Sequence, residues 1–136
     1  MIRDFLIPEV AKHFGHLNLS VNWTANPIVR IRPIQPIVGD LLIHDDGNEA
    51  TVYIENISHG HFGTFDFDQC VEGREMDIVE SVIGFMQDLF ADRVLLFTSP
   101  DNRIGGWRLL DENYEPPVLL DGCRYYLWSK PYEEAK

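Results

Sequence analysis

Hydrophobic and polar residues alternate along the first half of the chain, as they do in β-strands that bury one face. Residues 17–23 alternate strictly, and residues 28–32 repeat the pattern in a shorter segment. The apolar members of the first segment are Leu17, Leu19, Val21 and Trp23. If the two strands pair with their apolar residues on one buried face, paired residue numbers sum to an even number. The loop between the strands then has an odd number of residues.

Residues 38–57 have the clearest hairpin pattern. Two alternating runs flank Asp46-Gly47, a dipeptide typical of two-residue turns. With that turn, paired residue numbers sum to 93, so Ile43 lies opposite Ala50. The apolar residues of both strands then share one face, which supports the predicted register.

Two other segments have helical periodicity. Residues 2–14 place apolar side chains near one face and are followed by Gly15, although Pro8 suits a helix only in its first turn. Residues 72–91 carry a longer apolar stripe, with acidic residues toward the N-terminal end, where they favour the helix dipole. The members of the stripe are Met76, Val79, Val82, Ile83, Met86, Leu89 and Phe90.

Three short apolar segments, residues 94–98, 107–110 and 124–128, predict further strands. The element order is therefore α-β-β-β-β-α-β-β-β, and the short links favour antiparallel pairing. The sequence predicts a single α+β domain over residues 1–136, in which about two helices pack on one face of a mainly antiparallel sheet.

The chain has a formal net charge of −11, and residues 33–70 contain seven acidic residues but no lysine or arginine. Such a field repels nucleic-acid backbones and favours encounter with a basic protein, although solubility alone is an alternative explanation. No segment approaches the ~18 apolar residues that cross a bilayer. The first residues also lack the features of a secretory signal, so we expect a cytoplasmic protein. Cys70 and Cys123 are expected to be free thiols, and no cofactor is predicted.

The segment around His59 and His61 is the strongest candidate for chemistry. Residues two apart in an extended chain project the same way, so both imidazoles could bind one metal ion together with Asp66 or Asp68. The structural alternative is a loop tethered to the core by its phenylalanines, and a third interpretation is an aromatic-rimmed pocket or interface. The phenylalanines are Phe62, Phe65 and Phe67.

The predicted hairpin separates these two histidines from His44. In that register Glu49 lies opposite His44, and the ten extended residues from Glu49 to His59 span roughly 33 Å. The sequence therefore predicts that His44 belongs to a different part of the surface.

The last quarter of the chain offers two candidate partner surfaces. Asp111, Glu112 and Glu115 form an acidic stretch that is expected to be an exposed loop. Alternation in the last strand places Tyr126 and Trp128 on one face, where they either pack in the core or form a homodimer or partner surface.

Residues 124–131, RYYLWSKP, and residues 52–62, VYIENISHGHF, resemble pieces of uncharacterised small bacterial proteins. The small acidic one-domain build is similar in type to immunity proteins of bacterial toxin systems and to proteins encoded on mobile gene cassettes. The resemblance implies a binding role and transfers no functional residue. The sequence thus favours a non-enzymatic protein-binding module, such as an immunity-type inhibitor of a basic partner. Two alternatives stay open: a small enzyme or ligand- or metal-binding domain that uses the loop of His59 and His61, and a self-associating protein with an aromatic dimer interface.

Overall fold

The computed structural model describes residues 1–63, 71–101, 103–110 and 122–132. These residues form two antiparallel sheets and two α-helices, which confirms the predicted α+β class. The helices are α1 (Ile2–Phe14) and α2 (Val71–Phe90), and a 3-10 helix spans Pro36–Val38. The first sheet has the order β1 (Leu19–Val21), β2 (Val29–Ile31), β3 (Leu41–Asp45), β4 (Glu49–Ile54) and β5 (Ser58–Gly63). The second sheet has β6 (Val94–Thr98) between β7 (Gly105–Leu109) and β8 (Arg124–Tyr126).

The core lies between the helices and the apolar face of the first sheet, and it continues into β6 and β8. Helix α2 follows its predicted stripe, since Val82, Met86 and Leu89 are fully buried. Phe90 of α2 contacts both α1 and the segment that follows β8, because its ring packs edge-on against Phe14 and Trp128. The predicted packing of both helices on one sheet face is therefore confirmed.

The even-sum register of the first two strands is confirmed, with Leu19 opposite Ile31 and Val21 opposite Val29. The predicted burial of the whole apolar face is wrong at one end, since the exposed fractions of Val21 and Trp23 are 43% and 50%. The reason is local: β1 is an edge strand, and the Asn22 side chain accepts hydrogen bonds from two backbone N–H groups that follow it. These bonds end the strand in a turn.

The β3–β4 hairpin has a longer turn than predicted. Paired residue numbers sum to 95 instead of 93, so Asp45 lies opposite Ala50 and Ile43 opposite Val52. The Asp46 N–H donates to the Glu49 carbonyl at 2.9 Å, which closes a four-residue turn. Because the slip is two residues, every side chain keeps its predicted face.

Strand β5 was missed by the sequence analysis, which treated residues 58–63 as a loop. The Ile57 N–H donates to the Ile54 carbonyl at 2.8 Å, so the chain reverses directly after β4. Strand β5 then pairs along the whole of β4, from Ile54 opposite Ser58 to Glu49 opposite Gly63. Gly60 hides the alternation, because it leaves no side chain at the inward-facing position between Ser58 and Phe62.

Asp45 fastens α1 to the β3–β4 turn. Its buried carboxylate accepts hydrogen bonds from the Arg3 backbone N–H (3.2 Å), from Arg3 Nε (3.0 Å) and from the Gly47 N–H (2.9 Å). Burial alone would raise the pKa of Asp45, but the hydrogen bonds from Gly47 and Arg3 hold it below its usual value. A carboxylate from another element thus caps the first turn of α1.

No helix in the described part of the chain is both long enough and apolar enough to span a membrane.

Candidate functional site: a cleft between the two sheets

Strand β5 brings three of the five histidines, His44, His59 and His61, together on the polar face of the first sheet. The ring centroid of Tyr53 lies 4.8 Å from that of His44 and 5.4 Å from that of His59, which is 5.2 Å from His61. The predicted separation of His44 from the other two histidines is therefore wrong. The ~33 Å contour of extended chain folds back on itself, so that His44 and His61 are both cross-strand neighbours of Thr51.

His61 is held by a polar network at one end of this row. Its Nδ1 lies 3.1 Å from the Thr51 hydroxyl oxygen and 3.2 Å from a Glu49 carboxylate oxygen. Since the Thr51 hydroxyl donates to Asp46, its oxygen and the Glu49 carboxylate both act as acceptors toward His61. These contacts place a proton on Nδ1 and leave Nε2 as the nitrogen able to bind a ligand.

The predicted metal site can be followed only in part. His59 and His61 are adjacent and exposed on β5, as their spacing predicts, while Asp66 and Asp68 lie outside the described residues. Within the described ranges, no group of three or more histidine, cysteine, aspartate or glutamate side chains is arranged to hold a metal ion. Phe62 anchors β5 to α2, because its ring packs against that of Phe85 with 5.6 Å between the ring centroids.

The Tyr53–His59 end of the row opens into a cleft of about 570 Å³ between the two sheets. This volume is in the range of pockets that hold small molecules. The lining residues are Ile37, Tyr53, Glu55, Asn56, Ile57, Ser58, His59, Thr98, Arg124 and Tyr126.

The wall from the first sheet is formed by the end of β4 and the start of β5. Tyr53 and Glu55 share the polar face, because the Glu55 N–H continues the ladder by donating to the Asp40 carbonyl at 3.1 Å. Glu55 Oε1 accepts from the Asp40 N–H at 2.9 Å and lies 3.9 Å from an Arg30 nitrogen. Asp40 is itself paired with Arg30 and Arg32. This wall therefore carries carboxylate oxygens beside an aromatic ring and an imidazole.

The wall from the second sheet is formed by β6 and β8. Thr98 lies directly opposite Arg124, and Leu96 lies opposite Tyr126, so Thr98, Arg124 and Tyr126 project from the same face. The Thr98 hydroxyl is buried and has no hydrogen-bond partner among the described residues. Arg124 is exposed, and its guanidinium makes no ion pair or hydrogen bond with the residues that the structure describes. This wall thus carries an unpaired positive charge beside an unsatisfied hydroxyl.

Two glycines allow the sheets to approach closely enough to form the cleft. A Cβ at Gly105 would lie 1.7 Å from the Ile57 carbonyl oxygen, and a Cβ at Gly60 would lie 2.7 Å from the Trp107 ring. Trp107 in turn packs on Phe85 at 5.1 Å. The turn between β4 and β5 is therefore clamped against β7, which fixes the distance between the two walls.

Of the two predicted partner surfaces, only the aromatic one lies within the described residues. Tyr126 and Trp128 have exposed fractions of 8% and 2%, so they pack in the core, which is the alternative that the alternation left open. Asp111, Glu112 and Glu115 lie outside the described residues. Cys123 is a free, half-buried thiol, and Cys70 lies outside the described residues.

Part of the predicted acidic surface lies within the described residues and is hydrogen-bonded or ion-paired there. Each acidic side chain in residues 33–63 has a polar partner: Asp40 with Arg30, Asp45 with Arg3, Asp46 with Thr51, Glu49 with His61, and Glu55 with the Asp40 backbone. This segment contains no lysine or arginine of its own, and the arginines that pair with its acids come from residues 1–32. Arg3, Arg30 and Arg32 therefore offset part of the negative charge of this segment.

Sequence reasoning missed Thr98, Arg124 and Glu55 as members of a site. Each looks like an ordinary strand or strand-end residue, and only the meeting of the two sheets places them together. The one usable signal is Gly105-Gly106, because paired glycines at the start of a strand indicate close approach of another backbone.

Comparisons of the chain with protein-family models, with curated proteins and with solved structures found no match.

Proposed function

We propose that this protein is a ligand-binding domain whose site is the cleft between the two sheets. The observation that carries the proposal is the wall formed by Thr98 and Arg124. A buried hydroxyl without a partner costs about 1–3 kcal/mol, and an exposed arginine that no acid among the described residues pairs with is a ready recognition group for a polar ligand.

The shape of the site supports the same function. The cleft combines apolar and aromatic surface from Ile37, Ile57 and Tyr126 with a small number of polar groups that converge from two walls. This mixture is typical of small-molecule sites, where apolar surface supplies affinity and polar groups fix orientation. His59 stands on the rim, so the histidine segment contributes to binding without a metal or a catalytic step being assigned to it.

A matched pair of variants tests the proposal. Ile37 and Ile34 are exposed isoleucines of the connection between β2 and β3, but only Ile37 lines the cleft. A library of polar fragments is screened by saturation-transfer NMR against wild type, Ile37→Trp and Ile34→Trp. We expect fragments that bind wild type and Ile34→Trp and that lose binding to Ile37→Trp, because the indole occupies the mouth of the cleft. A screen without hits, or hits that Ile37→Trp retains, would contradict the proposal.

Binding of a basic protein is a second candidate, and the net charge of −11 favours it. The described acids of residues 33–63 are internally paired, so this candidate depends mainly on the remaining acids, including those of residues 111–121. Its affinity should fall steeply with ionic strength, since long-range attraction is screened by salt. A pull-down from host lysate at low and moderate salt tests it, and recovery of no basic protein at either salt would contradict it.

A further inference from the structure

The two walls of the cleft differ in charge. Arg124 projects from the second sheet, and Glu55 projects from the end of β4 in the first sheet. Both side chains line the same cleft, and they do not form an ion pair with each other. A ligand between them meets a positive group on one side and a negative group on the other.

The positive wall suits a carboxylate. Directly opposite residues of an antiparallel pair have Cβ atoms about 4.5–5.5 Å apart, so Thr98 and Arg124 can reach one small anionic group together. The guanidinium offers paired N–H donors that match the two oxygens of a carboxylate. The Thr98 hydroxyl, which lacks a partner in the described part of the chain, supplies a further donor.

The negative wall suits an ammonium group. Both contacts that Glu55 makes use Oε1, so Oε2 is uncommitted among the described residues. Tyr53 lies two residues earlier on the same face and adds an aromatic ring, whose negative face attracts cations. A carboxylate beside an aromatic ring is a recurring way to hold a cationic amine.

The charge of the whole molecule favours a ligand that carries both groups. A free anion would be repelled by the net charge of −11 and by Glu55, while a simple cation would meet Arg124. A zwitterion is neutral overall and satisfies both walls. We infer that the cleft binds a small zwitterion of the α-amino acid class, with its carboxylate on Arg124 and Thr98 and its ammonium group on Glu55 and Tyr53. This inference rests on the proposed ligand-binding function.

Four amino acids and their charge-deleted derivatives test the inference. The probes are L-alanine, L-serine, L-leucine and L-phenylalanine, each also as the N-acetyl derivative, which lacks the ammonium group, and as the methyl ester, which lacks the carboxylate. Affinity is measured by NMR titration of isotope-labelled protein near neutral pH. We expect at least one amino acid to bind, and each of its derivatives to bind at least about tenfold more weakly, since one charge-assisted contact is lost in each.

Two variants assign the groups to their walls. Arg124→Gln should weaken binding of the free amino acid about tenfold or more but should not weaken binding of its methyl ester, a cation that Arg124 repels. Glu55→Gln, which keeps an oxygen for the Asp40 N–H, should weaken binding of the free amino acid but should not weaken binding of its N-acetyl derivative, an anion that Glu55 repels. The controls Arg103→Gln and Glu49→Gln remove the same charges outside the cleft and should bind like wild type.

The outcomes separate this inference from the function on which it rests. If fragments bind in the cleft but no amino acid does, or if derivatives and variants bind as tightly as the free amino acid and wild type, the zwitterion inference is overturned and the ligand site stands. If neither fragments nor amino acids bind, both are overturned.

Discussion

Replacement of Asp45 by asparagine tests how α1 is held to the sheet. The carboxylate accepts three hydrogen bonds, two from Arg3 at one oxygen and one from Gly47 at the other. Asparagine has a single acceptor oxygen, so its NH₂ group must face either the Arg3 donors or the Gly47 N–H. Hydrogen bonds to charged groups contribute about 1.5–3 kcal/mol each, and breaking a buried ion pair costs about 3–5 kcal/mol.

Because the Arg3 side chain is 14% exposed, water compensates part of this loss. We therefore expect Asp45→Asn to lower the free energy of unfolding by about 2–4 kcal/mol. Urea denaturation at neutral pH measures the change, and Glu80→Gln, which alters an exposed carboxylate on the surface of α2, is the control with an expected loss below about 0.5 kcal/mol. A loss below about 0.5 kcal/mol for Asp45→Asn as well would refute the anchoring role.

The pH dependence gives the same prediction a second, independent readout. The pKa of Asp45 is lower in the folded protein than its usual value of 3.8. Its contribution is therefore fully present above that usual value, and it is lost as the pH falls through the folded-state pKa. Wild type and Asp45→Asn should differ most near neutral pH and converge in acid below about pH 4. A difference that grows on acidification would show that the sign is wrong.

Three further substitutions probe the packing of the sheets and the cleft. Gly105→Ala should lower the free energy of unfolding by about 3 kcal/mol or more, because its Cβ would overlap the Ile57 carbonyl. Gly84→Ala, which has open space around it in α2, should instead raise it by about 0.5–1 kcal/mol. Equal melting temperatures for the two variants would contradict the close approach of the sheets at Gly105. Thr98→Val should leave ligand-free stability unchanged or raise it by about 1 kcal/mol, while weakening binding of cleft ligands; a clear loss of stability would mean that the hydroxyl has a protein partner. Met86→Ala should cost about 2–5 kcal/mol in urea denaturation, since its side chain is fully buried, and a smaller loss would contradict its place in the core.

The sequence predicted the parts of the fold that depend on local periodicity. The stripe of α2 and the even-sum pairing of β1 with β2 follow from patterns of 3.6 and 2 residues, and both are confirmed. The failures occur where one local interaction decides between alternatives. A single backbone bond from Asp46 to Glu49 lengthens the hairpin turn, and one from Ile57 to Ile54 turns a presumed loop into β5.

The candidate site was less predictable than the fold because it is built by long-range contact. The histidine segment was identified, but its separation from His44 was inferred from contour length, which a chain reversal makes irrelevant. Thr98 and Arg124 lie 45 and 71 residues beyond Tyr53 in the sequence, and no local pattern relates them. Thr98 and Arg124 come close to Tyr53 only because the two sheets meet at Gly105, and this meeting is a tertiary contact.

The cleft as a ligand site is tested most directly by mapping chemical shifts on the backbone-assigned protein while a fragment that binds is titrated. The geometry predicts perturbations on both walls, at Tyr53 and Ser58 of the first sheet and at Thr98 and Tyr126 of the second, with Ser20 on the edge strand unchanged. Perturbations confined to one sheet, or centred on the surface of α1 and α2, would contradict the assignment of this cleft as the functional site.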